Sequence, residues 1–256
     1  MKPNKNNYFS SEMNREYMGH SQFLDFVKCE EAALRAIDKE DTTGVAFQQG
    51  HAFDDLFENP GADPLQIVSK YPLLVRKDGK PNVDGLTVIR AFERAAREPL
   101  FMEFASGQQQ VIQTGEIEGV AFKTMIDSYL PGKAIVDRKL VKDFNTIWNE
   151  TEGGRVSFIR HWGYDIQAAI YQAIEGNKLP FIIAAVTKEA VPDIALIQVP
   201  QHLIDERLEY VKFYAPKYAA IKRGEIEPER CGSCDHCKET KKITMIQSLD
   251  DFEPQF

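Results

Sequence analysis

The stretch Met125–Val141, MIDSYLPGKAIVDRKLV, decides how the rest of the chain is read. Apolar residues run in on both sides of Pro131-Gly132-Lys133, the pattern of two strands joined by a tight turn. With the turn there, Asp127 lies opposite Asp137. Directly opposed residues have Cβ atoms about 5 Å apart, where like charges destabilise a hairpin. Side chains alternate faces along a strand, so Lys139 projects on the same side as Asp137. Two carboxylates and an ammonium on one rigid face suit a hard divalent cation. Mg²⁺ takes oxygen ligands and is held by one or two carboxylates with water and substrate phosphate. A cation so held lowers the pKa of its bound water, and a nearby lysine stabilises developing charge. The plain alternative, a solvated face with an Asp–Lys pair, leaves the facing aspartates unexplained.

Working outward, VIQTGEIEGVAF before this stretch supplies another strand and a turn at Glu118-Gly119. After it, WGYDIQAAIYQAIEGN reads as a helix ended by Gly176, and FIIAAVTKE as an apolar, central strand. DIALIQV adds an outer strand, and HLIDERLEYVKFYAPKYAAIKRG a long amphipathic helix across Pro216. Upstream, Ser21 is a candidate N-cap for a helix running through SQFLDFVKCEEAALRAID. VAFQQGHAFDDLFEN stops at Asn59-Pro60-Gly61, and YPLLVRKDGKPNVDG reads as a short strand and a loop. LTVIRAFERAAREPLFMEFASG is helical with a break at Pro99. This order predicts an α/β fold, a single domain with a central mixed β-sheet flanked by helices. Residues 1–20 are polar and read as a flexible N-terminal tail. Residues 21–241 form the domain, including a cysteine loop at 231–237, and 242–256 form a C-terminal tail.

The 31 Lys and Arg against 39 Asp and Glu leave a net charge of −8, which argues against a general nucleic-acid coat protein. An enzyme acting on nucleic acid needs only a local basic strip, for which Lys123, Lys142, Arg155 and Arg160 are candidates. No apolar run approaches the ~20 residues of a membrane span, and no secretory signal opens the chain, so a cytoplasmic protein is expected.

Asp127 followed by Asp137-Arg138-Lys139 resembles the PD-(D/E)XK nuclease signature, which implies a restriction-endonuclease-like core. GEIEGVAFKTMIDSY, AIVDRKLVKDF and YDIQAAIY together resemble phage and prophage RecE-type exonucleases, with lambda exonuclease and RecB-type nuclease domains as more distant relatives. The resemblance implies that Asp127 and Asp137 hold Mg²⁺ or Mn²⁺, that Lys139 is the catalytic lysine and that Glu116 is a supporting acid. It also matches Gln167 and Tyr171 to a Q-x-x-x-Y motif that contacts DNA or braces the lysine. Tyr164, spaced three before Gln167, falls on the same helix stripe. Many relatives carry a histidine ligand in a G-x-x-x-H pattern. Here Gly50 is followed at that spacing by Asp54, which is favoured over His51 because Mg²⁺ prefers oxygen. The implied activity is that of a metal-dependent exonuclease on double-stranded DNA in phage-type recombination. Its implied partners are DNA, a single-strand annealing protein and further copies of the chain in a ring. The rival readings are a catalytically inactive DNA-binding or assembly module with the same fold, and an iron–sulfur or zinc protein whose carboxylates are incidental.

Cys29 stands alone, whereas Cys231, Cys234 and Cys237 form CGSCDHC. In a cytosolic chain, such spacing points to metal binding or redox chemistry rather than disulfides. Three close cysteines and a remote one fit a [4Fe–4S] cluster, which some RecB-type relatives carry; zinc is the alternative, and free thiols are the plain reading.

Overall fold

The computed structural model describes residues 1–38, 44–150, 152–246 and 248–249. Its strands are β1 (Gln108–Ile117), β2 (Val120–Leu130), β3 (Ala134–Val141), β4 (Ile147–Asn149), β5 (Gly154–Val156), β6 (Phe181–Thr187) and β7 (Ile194–Gln198). Five form one sheet in the order β1-β2-β3-β6-β7, while β4 and β5 pair separately. Only β3 and β6 run parallel, and the other neighbours are antiparallel. Glu118 and Gly119 both have positive φ, the two-residue hairpin turn whose twist matches the flanking strands.

Helices precede, connect and follow the strands. The first four are α1 (Ser11–Glu16), α2 (His20–Lys28), α3 (Glu30–Ala36) and α4 (Val45–Glu58). Then come α5 (Pro64–Val68), α6 (Val83–Ala96), α7 (Pro99–Ala105), α8 (Phe158–His161), α9 (Tyr164–Glu175), α10 (Gln201–Lys222) and α11 (Asp235–Glu239). The period-two alternation of the central strands feeds two cores. Ile135, Phe181, Ile183 and Ala185 pack with α2, α9 and α10, whereas Ala134, Val136, Ala184 and Val186 pack with α4, α6 and α7. This is the mixed sheet between helical layers that the sequence predicts. Among the described residues no helix is long and apolar enough to cross a membrane.

Several expectations need correction. Residues 1–20 are not a loose tail: Met13 and Met18 are fully buried, Tyr8 is buried, and Met18 bridges to Phe122 of β2. Apolar side chains scattered among Asn, Lys and Ser cover the β2 surface. Helix α2 starts one residue before Ser21, capped by Gly19, and the predicted continuous helix breaks at Cys29, whose backbone is extended. In place of the strand expected after Tyr71 there is a 3-10 turn, Pro72–Leu74, followed by a lone bridge between Val75 and Pro81. Residues 242–246 of the expected C-terminal tail have no helix or strand; 247 and 250–256 lie outside the described residues.

Candidate active site

The hairpin register is the one that sets Asp127 against Asp137: Ser128 pairs with Val136, Tyr129 with Ile135 and Leu130 with Ala134. The ladder stops there. The main-chain N–H of Arg138 turns to the Asp127 carboxylate, donating to Oδ2 at 2.9 Å. On the other side of β2, Gln110 interrupts the β1 ladder opposite Asp127 with a left-handed φ of 53°. A non-glycine residue in this region is uncommon and marks local strain of the kind that clusters at functional sites. Asp127 is thus released from backbone pairing on both sides, and the opening between β2 and β3 becomes the floor of a cavity.

Asp127, Asp137 and Lys139 line that cavity of about 680 Å³, the range that takes a nucleotide-sized ligand. The Lys139 ammonium lies 2.6 Å from Asp137 Oδ2 and 4.7 Å from the centre of the Tyr164 ring. The Gln167 amide donates to Asp137 Oδ1 at 2.5 Å. Tyr171, one turn further along α9, donates its hydroxyl to the Met125 carbonyl at 3.1 Å. The stripe of α9 therefore braces β2 and β3 from beneath.

Asp54 reaches the cavity from α4, where its Oδ1 accepts from Arg138 Nε at 2.9 Å. His51 also lines the cavity, one turn earlier, with its ring against Phe47 at 4.2 Å. Burial, and then the Asp127 charge, push the Asp54 carboxyl up to about 8 against the pull of Arg138. Burial likewise raises Asp137 to about 6, with Lys139 and Gln167 opposing the rise and Asp127 adding to it. Burial works to lower the Lys139 ammonium, but Asp137 and Asp127 outweigh it and hold the lysine charged.

The residues fit an oxygen-preferring divalent cation. Asp127 and Asp137 are two hard donors on fixed strands, which is the number Mg²⁺ commonly takes from protein. Asp54 lines the same cavity, yet the three carboxylates do not converge. Among the described residues, the four cysteines are what bring three or more ligand atoms within 4.8 Å of one another.

Glu116 does not join the site. It is exposed, pairs with Ala121 beside the hairpin turn and lies six β2 residues from Asp127, about 20 Å along an extended strand. The expected basic strip also fails to converge. Arg160 is held by Glu152 at 2.7 Å, Arg155 turns to Thr146, and Lys142 is 94% exposed beside Asp143. Lys123 does line the cavity but is buried, donating to the Tyr8 carbonyl and to Asn14 Oδ1.

The sequence reading missed His20. It lines the cavity from the first residue of α2, and its Nε2 sits 3.1 Å from the Gly163 carbonyl. A carbonyl only accepts, so Nε2 carries the proton and Nδ1 keeps its lone pair. Burial and the Lys139 charge lower the His20 pKa to about 3, which keeps the ring neutral. No local signal around Gly19-His20 announces this placement.

The model of a PDDEXK-like domain of unknown function (DUF3799) matches residues 19–240. A crystal structure of a "Putative exonuclease" from Eubacterium rectale is similar at a TM-score of 0.89 and 35% sequence identity, over 98% of each chain. Nothing among curated proteins matches. With a matched core that spans the helices, the hairpin and the cysteine loop alike, the chain belongs to this PDDEXK-like family, within the PD-(D/E)XK nuclease superfamily.

Proposed function

We propose that the protein is a metal-dependent deoxyribonuclease, an exonuclease that resects double-stranded DNA in the cytoplasm for phage-type recombination. The observation that carries the reading is the Asp137–Lys139 ion pair beside Asp127 in one cavity. Asp127 and Asp137 would hold Mg²⁺ or Mn²⁺, which supplies an activated water for phosphodiester hydrolysis, while Asp54 lines the same cavity with its Oδ1 held by Arg138. Lys139 then lies where charge develops on the phosphate, with Tyr164 beneath it and Asp137 fixing its position. Gln167 and Tyr171 hold the carboxylate strands in place, and a DNA strand passes over them.

The aromatic rings of Phe9 and Phe47 are 61% and 45% exposed at the cavity's wall, placed for stacking on unpaired bases. Such a wall favours a frayed strand end over an intact duplex, in keeping with exonuclease action. A single-strand annealing protein, as the consumer of the exposed strand, and a ring of chains around the duplex complete the proposed setting.

The test is digestion of linear, end-labelled duplex DNA with Mg²⁺ or Mn²⁺, beside a covalently closed circle. Linear DNA should be shortened from its ends and the circle left intact. Lys139→Ala should lower the rate by about 10²–10³-fold, the scale for removing one preorganised charge-stabilising group. Binding of DNA without metal-dependent cleavage would overturn the proposal in favour of the inactive module.

A further inference from the structure

We propose that Cys29, Cys231, Cys234 and Cys237 form a mononuclear, tetrahedral zinc site that clasps the start of the nuclease core to its C-terminal loop. All four sulfurs lie within 4.8 Å of one another, and none is in a disulfide. Cys237 Sγ is 3.6 Å from Cys29 Sγ and 3.9 Å from Cys231 Sγ. Four thiolates around one zinc at about 2.3 Å stand about 3.8 Å apart at tetrahedral angles. The observed separations match that shared ion. In a four-iron cluster each thiolate binds a different iron, so the sulfurs stand apart by the width of the cluster. The spacing C-x₂-C-x₂-C favours such a cluster when read alone, and the folded geometry reverses that preference.

The local backbone explains how so compact a spacing surrounds one ion. Gly232, at φ +74°, turns the chain so that the Cys234 N–H donates to Cys231 Sγ at 3.3 Å. Cys234 then caps α11, accepting from the Cys237 N–H at 3.4 Å. Two successive tight turns thus fold three sulfurs onto one side, and two of them, Cys231 and Cys234, accept the main-chain N–H bond that suits a thiolate. Cys29 completes the set from the break between α2 and α3. His236 is not a ligand: its Nε2 faces Glu31 Oε1 at 3.6 Å.

Contacts already align the two halves. The Glu229 N–H donates to Glu30 Oε2 at 2.9 Å, the Glu31 N–H to the Glu229 carbonyl at 3.1 Å, and Lys217 pairs with Glu30 at 2.7 Å. A metal that joins segments some two hundred residues apart removes much freedom from the unfolded chain. It also anchors the C-terminal end of α2, the helix that carries His20 into the catalytic cavity.

The proposal stands apart from the nuclease reading, because its readout is bound metal. The full chain, purified under nitrogen without added metal, should carry one zinc per chain and neither iron nor acid-labile sulfide. Replacing the zinc with Co²⁺ in the reduced protein should give the intense visible bands of a tetrahedral tetrathiolate. Cys234→Ser, in the partly exposed loop, should weaken those bands and retain its far-ultraviolet circular dichroism. Iron and sulfide in stoichiometric amount would overturn the proposal. So would a reduced chain that takes up neither zinc nor cobalt.

Discussion

Gln167→Leu separates two roles that one residue could play. Gln167 and Asp137 are both buried, and the amide donates to Asp137 Oδ1 at 2.5 Å. Leucine fills similar space and removes the donor. A hydrogen bond to a charged group is worth about 1.5–3 kcal/mol, and 1.36 kcal/mol corresponds to one pKa unit. The Asp137 carboxyl, already raised to about 6 by burial, should therefore rise by roughly one to two units, since Gln167 opposes that rise. The carboxylate must be ionised to bind a cation, so the acid limb of the metal-dependent cleavage rate should move to higher pH by that amount. The metal concentration for half-maximal rate should rise about 10–100-fold, the usual effect of losing a partner behind a ligand. The assay is digestion of end-labelled duplex DNA against pH and Mg²⁺, with DNA affinity measured separately in Ca²⁺. If DNA affinity falls and neither the acid limb nor the metal requirement moves, Gln167 is a DNA contact and the bracing argument is refuted.

Three further outcomes are expected. Glu116→Gln should leave cleavage within about twofold, because an exposed residue away from the site has little to lose; a collapse of activity would place Glu116 back in the mechanism. His20→Gln should flatten the acid side of the stability–pH curve. The folded chain protonates His20 only near pH 3, while the unfolded chain does so near 6.5, so His20 costs stability as pH falls between those values, and calorimetry across that window reads it. Deleting residues 1–16 removes buried Met13 and Tyr8, each contributing ~1.5–3 kcal/mol, and should lower the melting midpoint by roughly 6–24 °C. An unchanged midpoint would restore the loose-tail reading.

The hairpin was legible because a strand's period of two turns a string of letters into two faces. Once Pro131-Gly132 is taken as the turn, the positions of Asp127, Asp137 and Lys139 follow from counting. The α9 stripe was legible for the same reason, at helical spacing. What was hidden depends on docking between segments far apart in the chain. His20 feels the Lys139 charge only because α2 packs against α9 and α10, and Lys123, an ordinary cation in the sequence, is buried because Tyr8 and Asn14 fold over it. Glu116 misled through proximity in sequence: it is one strand away from Asp127 but at the far end of the shared hairpin. Sulfur separation was equally beyond the sequence, since C-x₂-C-x₂-C fixes the order of the ligands and not how tightly Gly232 and α11 wind them.

The middle residue of Asp137-Arg138-Lys139 shows why this triplet has its effect. Alternation sends Arg138 to the face of β3 opposite Asp137 and Lys139, among the residues that pack with α4 and α7, where it lines the cavity beside Asp54. There its side chain is fully buried, over the Phe57 ring at 5.0 Å. Its Nη1 donates to the carbonyls of Ala105 and Asp127 at 2.9 and 3.2 Å and to Gln109 Oε1 at 2.5 Å, while Nε holds Asp54. One guanidinium therefore ties α7, β1, β2 and α4 to β3 where the β2–β3 ladder ends. Its own N–H takes the Asp127 carboxylate at the same point. A lysine there has a single nitrogen and could not serve acceptors on four elements at once. Arg138→Lys should therefore loosen the fork while leaving Asp127, Asp137 and Lys139 in the sequence. A fall in cleavage with a raised Mg²⁺ requirement, in a variant that still folds, is the expected result. Full activity at unchanged Mg²⁺ would mean that the strands hold the carboxylates without the guanidinium.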